Sequence, residues 1–267
     1  MLKINKLILI VFVVFSISHI AYSSALMADS VYSFLGYQLQ VCGGFGEPGK
    51  IMLYKNGALM DTKEYEIEVA NIEVTSFEKN GTTKIVATLY SGGAHCCYSI
   101  SVLNIVSDKL FEIAKMEIGN ISFRIKDLDN DGIKELVTYD DRFAYAFSCF
   151  ADSRFMLAIY HLQNGSFVKD NVRFMDFVLK DIEDLKSELV PIITSKIDCR
   201  NKQDGSLEKM KSLLAAIAGS YYMIGEVNKG FSIIDNFYKC SDKEEFIKAI
   251  KSSLVYVAPS DQNSVAK

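Results

Sequence analysis

The chain has 267 residues, with 29 Lys or Arg against 33 Asp or Glu, a formal net charge of −4 and a composition that is 49% hydrophobic. An acidic, globular composition without a low-complexity tract argues against general disorder and makes nucleic acid a poor partner. A chain of this length can build one proper core, or two smaller ones at ordinary domain sizes of about 100 to 150 residues.

The first 25 residues read as a secretory signal peptide. Lys3 and Lys6 precede an unbroken apolar run from Leu7 to Phe15, and small residues follow at Ala21, Ser23 and Ala25. The run is short for a membrane span and lacks a basic stop-transfer flank, so no transmembrane segment is expected after cleavage. Removing Lys3 and Lys6 leaves 27 basic against 33 acidic residues, a mature charge of about −6. The expected location is secreted or periplasmic, where six cysteines (Cys42, Cys96, Cys97, Cys149, Cys199 and Cys240) read first as disulfides.

Residues 26–173 have the texture of a β-domain. Short β-branched and aromatic runs alternate with turn residues, and Asn-Gly pairs in "YKNGA" and "LQNGS" mark hairpins. "CGGFGEPG" lacks the lysine and following helix of a phosphate loop and reads as a hairpin connection. In "SGGAHCCY", His95 with Cys96 or Cys97 offers three readings: a nucleophilic thiolate with a base, a soft-metal site, or disulfide sulfurs. Adjacent cysteines fit no paired zinc spacing, and a histidine next in sequence is badly placed as a base, so a disulfide with Cys149 or Cys42 is the preferred reading. In "YDDRFAYAFSCF", Phe143, Tyr145 and Phe147 have strand spacing and are expected to pack rather than to stack on a ligand.

The acidic stretch "KDLDNDGIKELV" carries Asp127, Asp129 and Asp131 at alternate positions, then Gly132 and Glu135. A calcium ion takes six to eight oxygens, and such a turn supplies several from one arc, with Gly132 allowing the bend that aims the Ile133 carbonyl. The position that would carry the closing glutamate of a helix-loop-helix site is Thr138, so Glu135 closes the loop early. Ile121, Phe123 and Ile125 alternate before it and "ELVTY" follows, which predicts strand, metal loop, strand. Laying "SFEKNGTTKIV" under "DLDNDGIKELV" reveals a repeat: Gly81 falls on Gly132, Asn80 on Asp131 and Glu78 on Asp129. Ser76 and Lys84 replace the first aspartate and the closing glutamate, so only the second copy is expected to take an ion. A period near fifty suggests stacked, propeller-blade-like units too few to close a ring.

After residue 173 the apolar period becomes helical, first at Ile182, Leu185, Leu189 and Ile192 until Pro191 disturbs the end, then at Leu207, Met210, Leu214, Ile217, Tyr221 and Ile224. Two shorter helices follow, the last with capping-box spacing at Ser241 and Glu244, and residues 258–267 form a polar tail. Cys199 and Cys240 flank these helices and form the preferred disulfide pair. The fold class is therefore α+β, an antiparallel β-domain at 26–173 followed by a helical domain at 174–257.

"DLDNDGIKELV" resembles the calcium loop of FG-GAP and VCBS-type repeats, as in integrin-alpha-like propeller blades, and "SGGAHCCYSISVL" is similar to a segment of uncharacterised exported bacterial proteins that carry such loops. The resemblance covers roughly residues 75 to 165 and implies calcium held by Asp127, Asp129, Asp131 and Glu135, with no catalytic reaction. The expected function is an exported, non-catalytic calcium-binding protein that serves as a binding module for a protein or envelope ligand. The alternative is an exported enzyme or thiol or metal protein built on His95 with Cys96 or Cys97.

Overall fold

The computed structural model describes residues 30–255 apart from 80, 94–96, 196 and 201–204. The signal-peptide segment and the polar tail lie outside the described residues, as do Asn80, His95 and Cys96. Twelve strands precede four helices. The strands are β1 (Ser30–Phe34), β2 (Tyr37–Cys42), β3 (Lys50–Lys55), β4 (Ala58–Glu64), β5 (Glu68–Thr75), β6 (Lys84–Tyr90), β7 (Tyr98–Val106), β8 (Lys109–Gly119), β9 (Arg124–Lys126), β10 (Glu135–Asp140), β11 (Met156–Gln163) and β12 (Ser166–Lys169). The helices are α1 (Met175–Thr194), α2 (Ser206–Met223), α3 (Val227–Phe237) and α4 (Lys243–Val255).

The strands form three antiparallel meanders of four, β1–β4, β5–β8 and β9–β12, each in sequence order. The two Asn-Gly turns close β3–β4 and β11–β12, with Asn56, Gly57, Asn164 and Gly165 all at positive φ as a two-residue hairpin turn requires. The meanders stack face to face as an open series and do not close into a propeller. Alternate side chains of one strand feed different cores, since a strand points successive residues to opposite faces. In β6, Ile85, Ala87 and Leu89 pack on Leu39, Val41, Ile51 and Leu53 of the first sheet. Val86, between Ile85 and Ala87, joins Ile100, Val102, Leu136, Ala158 and Tyr160 between the second and third sheets. In β11, Met156, Leu157 and Ile159 instead meet the helices. The second and third sheets are thus covered on both faces, and the helices close the far side of the third.

Helix α1 runs through Pro191 to Thr194 rather than ending at it. Pro191 stands in the last turn, where its missing N–H removes one bond near an end already short of partners. Helix α3 crosses α2 closely at Gly230, where a Cβ would meet the Ala218 carbonyl at 2.8 Å and its Cα at 2.9 Å. In the "YDDRFAYAFSCF" segment, Tyr139 and Asp140 end β10, and residues 141–149 are turns and bends and not the strand their spacing suggests. Phe143 is buried and Phe147 packs edge-on to Phe246, whereas Tyr145, at positive φ, is 55% exposed. The left-handed turn at Tyr145 breaks the alternation that a strand would need.

At the contact of α1 with the third sheet, Tyr139 donates to Asp181 Oδ1 at 3.1 Å, and Asp181 Oδ2 is buried with no hydrogen-bond partner. Burial pushes the Asp181 carboxyl up from 3.8 to about 6, and nearby Asp184 adds to the rise. A raised folded value means that its contribution to stability is complete below its unfolded value and is lost as pH rises through about 6. Asp181→Asn, which keeps an acceptor for Tyr139, is expected to stabilise the protein by about 1 to 3 kcal/mol at pH 8 and by nothing at pH 4. Urea unfolding at the two pH values measures the difference, and an equal effect at both would contradict the assignment.

Candidate metal centre

The acidic loop connects β9 to β10 and is wound by its own carboxylates. Asp127 Oδ2 accepts from the Gly132 N–H at 3.0 Å, Asp129 Oδ1 from Asp131 N–H at 3.3 Å and Asp131 Oδ1 from Ile133 N–H at 2.8 Å. Asn130 and Gly132 take positive φ, a conformation that asparagine and glycine adopt at least cost. Glu135 opens β10, and its Oε2 accepts from the Leu128 N–H at 2.9 Å. One oxygen of each acid therefore shapes the turn, and the other is available for something else.

The remaining oxygens divide into two pairs. Asp127 Oδ1 and Glu135 Oε1 are both buried without a hydrogen-bond partner, in a protein interior where such an atom ordinarily costs about 1 to 3 kcal/mol. Asp129 Oδ2 and Asp131 Oδ2 accept from one Nη2 of Arg173, at 2.5 and 2.7 Å. Asp127, Asp129 and Glu135 each offer an oxygen, and these three lie within 4.8 Å of one another. The fourth expected carboxylate, Asp131, is outside this trio and faces the guanidinium. The backbone N–H of half-buried Ile133 serves the turn.

Electrostatics follow the geometry. Burial raises the Glu135 carboxyl above the ordinary glutamate value, with Asp129 and Asp131 adding repulsion. The Ile133 N–H, and then Arg173, hold Asp131 below the ordinary value. Asp129 and Asp131 raise the Arg173 guanidinium in turn. A divalent cation against Asp127 Oδ1 and Glu135 Oε1 fits this donor set, since both atoms are hard oxygens and neither has a hydrogen-bond partner.

The earlier copy of the loop shows what a resident cation does instead. Ser76 Oγ accepts the Glu78 N–H at 3.1 Å, and Gly81 N–H donates to the Glu78 carbonyl at 2.9 Å. Lys84 opens β6 as Glu135 opens β10. It is 4% exposed, and its ammonium lies 3.5 Å from Glu78 Oε1. The two loops touch, for Lys134 Nζ donates to Thr75 Oγ1 at 2.8 Å.

The cysteines meet expectation at the preferred pair, Cys199 and Cys240, and depart from it at Cys42 and Cys149. Cys199 and Cys240 are disulfide-bonded, and Cys97 also lies in a disulfide. Cys42 and Cys149 are thiols, which corrects the expectation that they pair. Cys42 is buried at the end of β2, whereas Cys149 is exposed, with its Sγ 3.5 Å from Asp152 Oδ2. The two are therefore held in different surroundings. The Cys97 N–H donates to Ser91 Oγ at 2.9 Å and the Ser91 N–H to the Cys97 carbonyl at 3.2 Å, clasping the base of the β6–β7 loop. His161, on β11, places Nδ1 3.1 Å from Asp170 Oδ2.

Arg173 is the residue at this loop that sequence reasoning missed. It stands 42 positions beyond Asp131 and belongs to no repeat or periodic pattern. Its only local signal is an isolated cation between a hairpin and a helix.

No family model matches the chain, and no solved structure matches it. A protein of Synechocystis sp. named as a probable thylakoid lumen protein is 26% identical over 187 residues, covering 68% of this chain and 52% of that protein. The chain thus spans about half the length of the relative it matches. No helix among the described residues is long and apolar enough to cross a membrane.

Proposed function

We propose that the protein is an extracytoplasmic, non-catalytic binding module whose stacked sheets are stapled by one calcium ion at the β9–β10 loop. The observation that carries this reading is the pair of buried, partnerless oxygens, Asp127 Oδ1 and Glu135 Oε1, converging with Asp129. Calcium suits the site better than magnesium, because a loop of carboxylates and backbone carbonyls strips an ion of water, which magnesium resists. Asp127, Asp129 and Glu135 are the first ligands, with Asp131 and the Ile133 carbonyl available to complete the shell. The four-stranded meanders with a loop of this kind support blades of the FG-GAP type as the origin of the architecture.

Export is supported by the lysine-led apolar N-terminus, by the disulfides at Cys199–Cys240 and Cys97, and by the lumenal location in the relative's name. The disulfide at Cys97 removes that sulfur as a thiolate nucleophile. The binding partner is a protein or envelope component.

Glu135→Gln tests the site. At about 100 times the dissociation constant, calcium adds about 2.7 kcal/mol to the native protein, or about 5 to 10 °C in Tm for a protein of this size. The variant should fold without calcium at least as well as the wild type, since it buries an amide in place of a carboxylate, and should lose most of that shift. A calcium shift equal to that of the wild type would overturn the ligand assignment.

A further inference from the structure

We infer that Arg173 is a built-in competitor of the cation, which holds the loop together without metal and is expelled when metal binds. The inference rests on the calcium reading above and adds a regulatory element to it. Arg173 Nη2 bridges Asp129 Oδ2 and Asp131 Oδ2, so the guanidinium neutralises the outward half of the loop while Asp127 Oδ1 and Glu135 Oε1 stay without partners on the inward half. An ion seated against Asp127 and Glu135 also needs Asp129, which is the third member of the converging trio. Guanidinium and ion therefore draw on the same carboxylates, and a positive charge so close to a divalent ion is repelled by it.

The backbone next to Arg173 is anchored to β11. Asn171 is buried; its Oδ1 accepts the Ile159 N–H at 3.0 Å and its Nδ2 donates to the Leu157 carbonyl at 2.7 Å. The Asp170 N–H donates to the Ile159 carbonyl at 2.8 Å. These bonds fix the chain on which Arg173 stands, while its side chain is 39% exposed and lies over the Phe174 ring, 4.9 Å from its centroid. A second acceptor lies beside it, Asp170 Oδ2, which is 4.0 Å from Arg173 Nη1 and is shared with His161 Nδ1 at 3.1 Å. Metal binding thus transfers Arg173 from the loop to Asp170, at the entrance to α1, and sets the calcium threshold above that of the bare loop. The first copy of the loop uses the same device in permanent form, with Lys84 as its internal cation.

Two variants with opposite signs test this by calorimetric calcium titration of the full chain at low ionic strength. Arg173→Gln is expected to tighten calcium binding about tenfold, the scale of removing a paired, partly exposed cation, while lowering Tm in chelator. Asp170→Asn removes the alternative partner and is expected to weaken binding severalfold. Equal affinity in the wild type and Arg173→Gln, or weaker binding in the latter, would overturn the competitor while leaving the calcium site standing. Absence of calcium binding in both would overturn the site and the competitor together.

Discussion

Replacing Cys199 and Cys240 by serine is expected to lower stability by about 4 kcal/mol. The bridge joins positions 41 residues apart, and closing a loop of that size removes about this much entropy from the unfolded chain. The bridge lies within the helical layer. Cys199 follows α1, and Cys240 sits between α3 and α4, so the bridge ties the first helix to the last pair. Tyr238, fully buried two residues before Cys240, donates to Asp242 Oδ1 at 2.8 Å, and Lys211 of α2 reaches Asp242 Oδ2 at 2.6 Å. These contacts keep the α3–α4 connection in place once the sulfurs are gone, so the variant should fold to the same structure with a Tm lower by about 8 to 16 °C. Thermal unfolding followed by circular dichroism measures it, and a change under 2 °C would show that the bridge constrains little.

Arg142→Ala is the second large effect, expected at about 2 to 3 kcal/mol, below the cost of leaving a buried charge wholly alone because Lys169 stays beside Asp140. Arg142 donates from Nε to Asp140 Oδ1 at 2.8 Å and from Nη2 to Asp140 Oδ2 at 2.6 Å. Its Nη1 reaches the carbonyls of Ser253 and Leu254 at the end of α4, where a cation also complements the helix dipole. Lys169 Nζ adds a contact to Asp140 at 3.3 Å. Burial pushes the Asp140 carboxyl up, but the bonds from Arg142 and the charge of Lys169 bring it net below the ordinary aspartate value. A depressed folded value means that this stabilisation is present above the unfolded value and is lost as pH falls through the folded one. The variant should therefore lose stability at pH 7 and lose less at pH 3, which urea unfolding at both pH values would show. A loss of similar size at both would assign Arg142 to packing rather than to charge.

Much of this architecture can be read locally. Asn56-Gly57 and Asn164-Gly165 announce their hairpins, because few other pairs take two consecutive positive φ values. The spacing of Ile182, Leu185 and Leu189 marks the buried stripe of α1. The loop from Asp127 to Glu135 is legible for the same reason, since its carboxylates bond to N–H groups within seven residues, as from Glu135 to Leu128. What could not be read are relations set by stacking. Nothing near Arg173 foretells that it meets Asp129 and Asp131, for that contact exists only once β12 brings the chain back past the loop. Cys42 and Cys149 carry no local mark that separates them from the bridged cysteines, and the left-handed turn at Tyr145 interrupts a sequence with the spacing of a strand.

The measurement that bears most directly on the calcium staple is a calorimetric titration of the purified, chelator-stripped chain with calcium, paired with thermal melts in calcium and in chelator. One ion per chain, with Tm higher in calcium by about 5 to 10 °C, is the result the proposal predicts, since Lys84 stands in the first loop where Glu135 stands in the second. No binding heat up to millimolar calcium together with identical melting in chelator would contradict it.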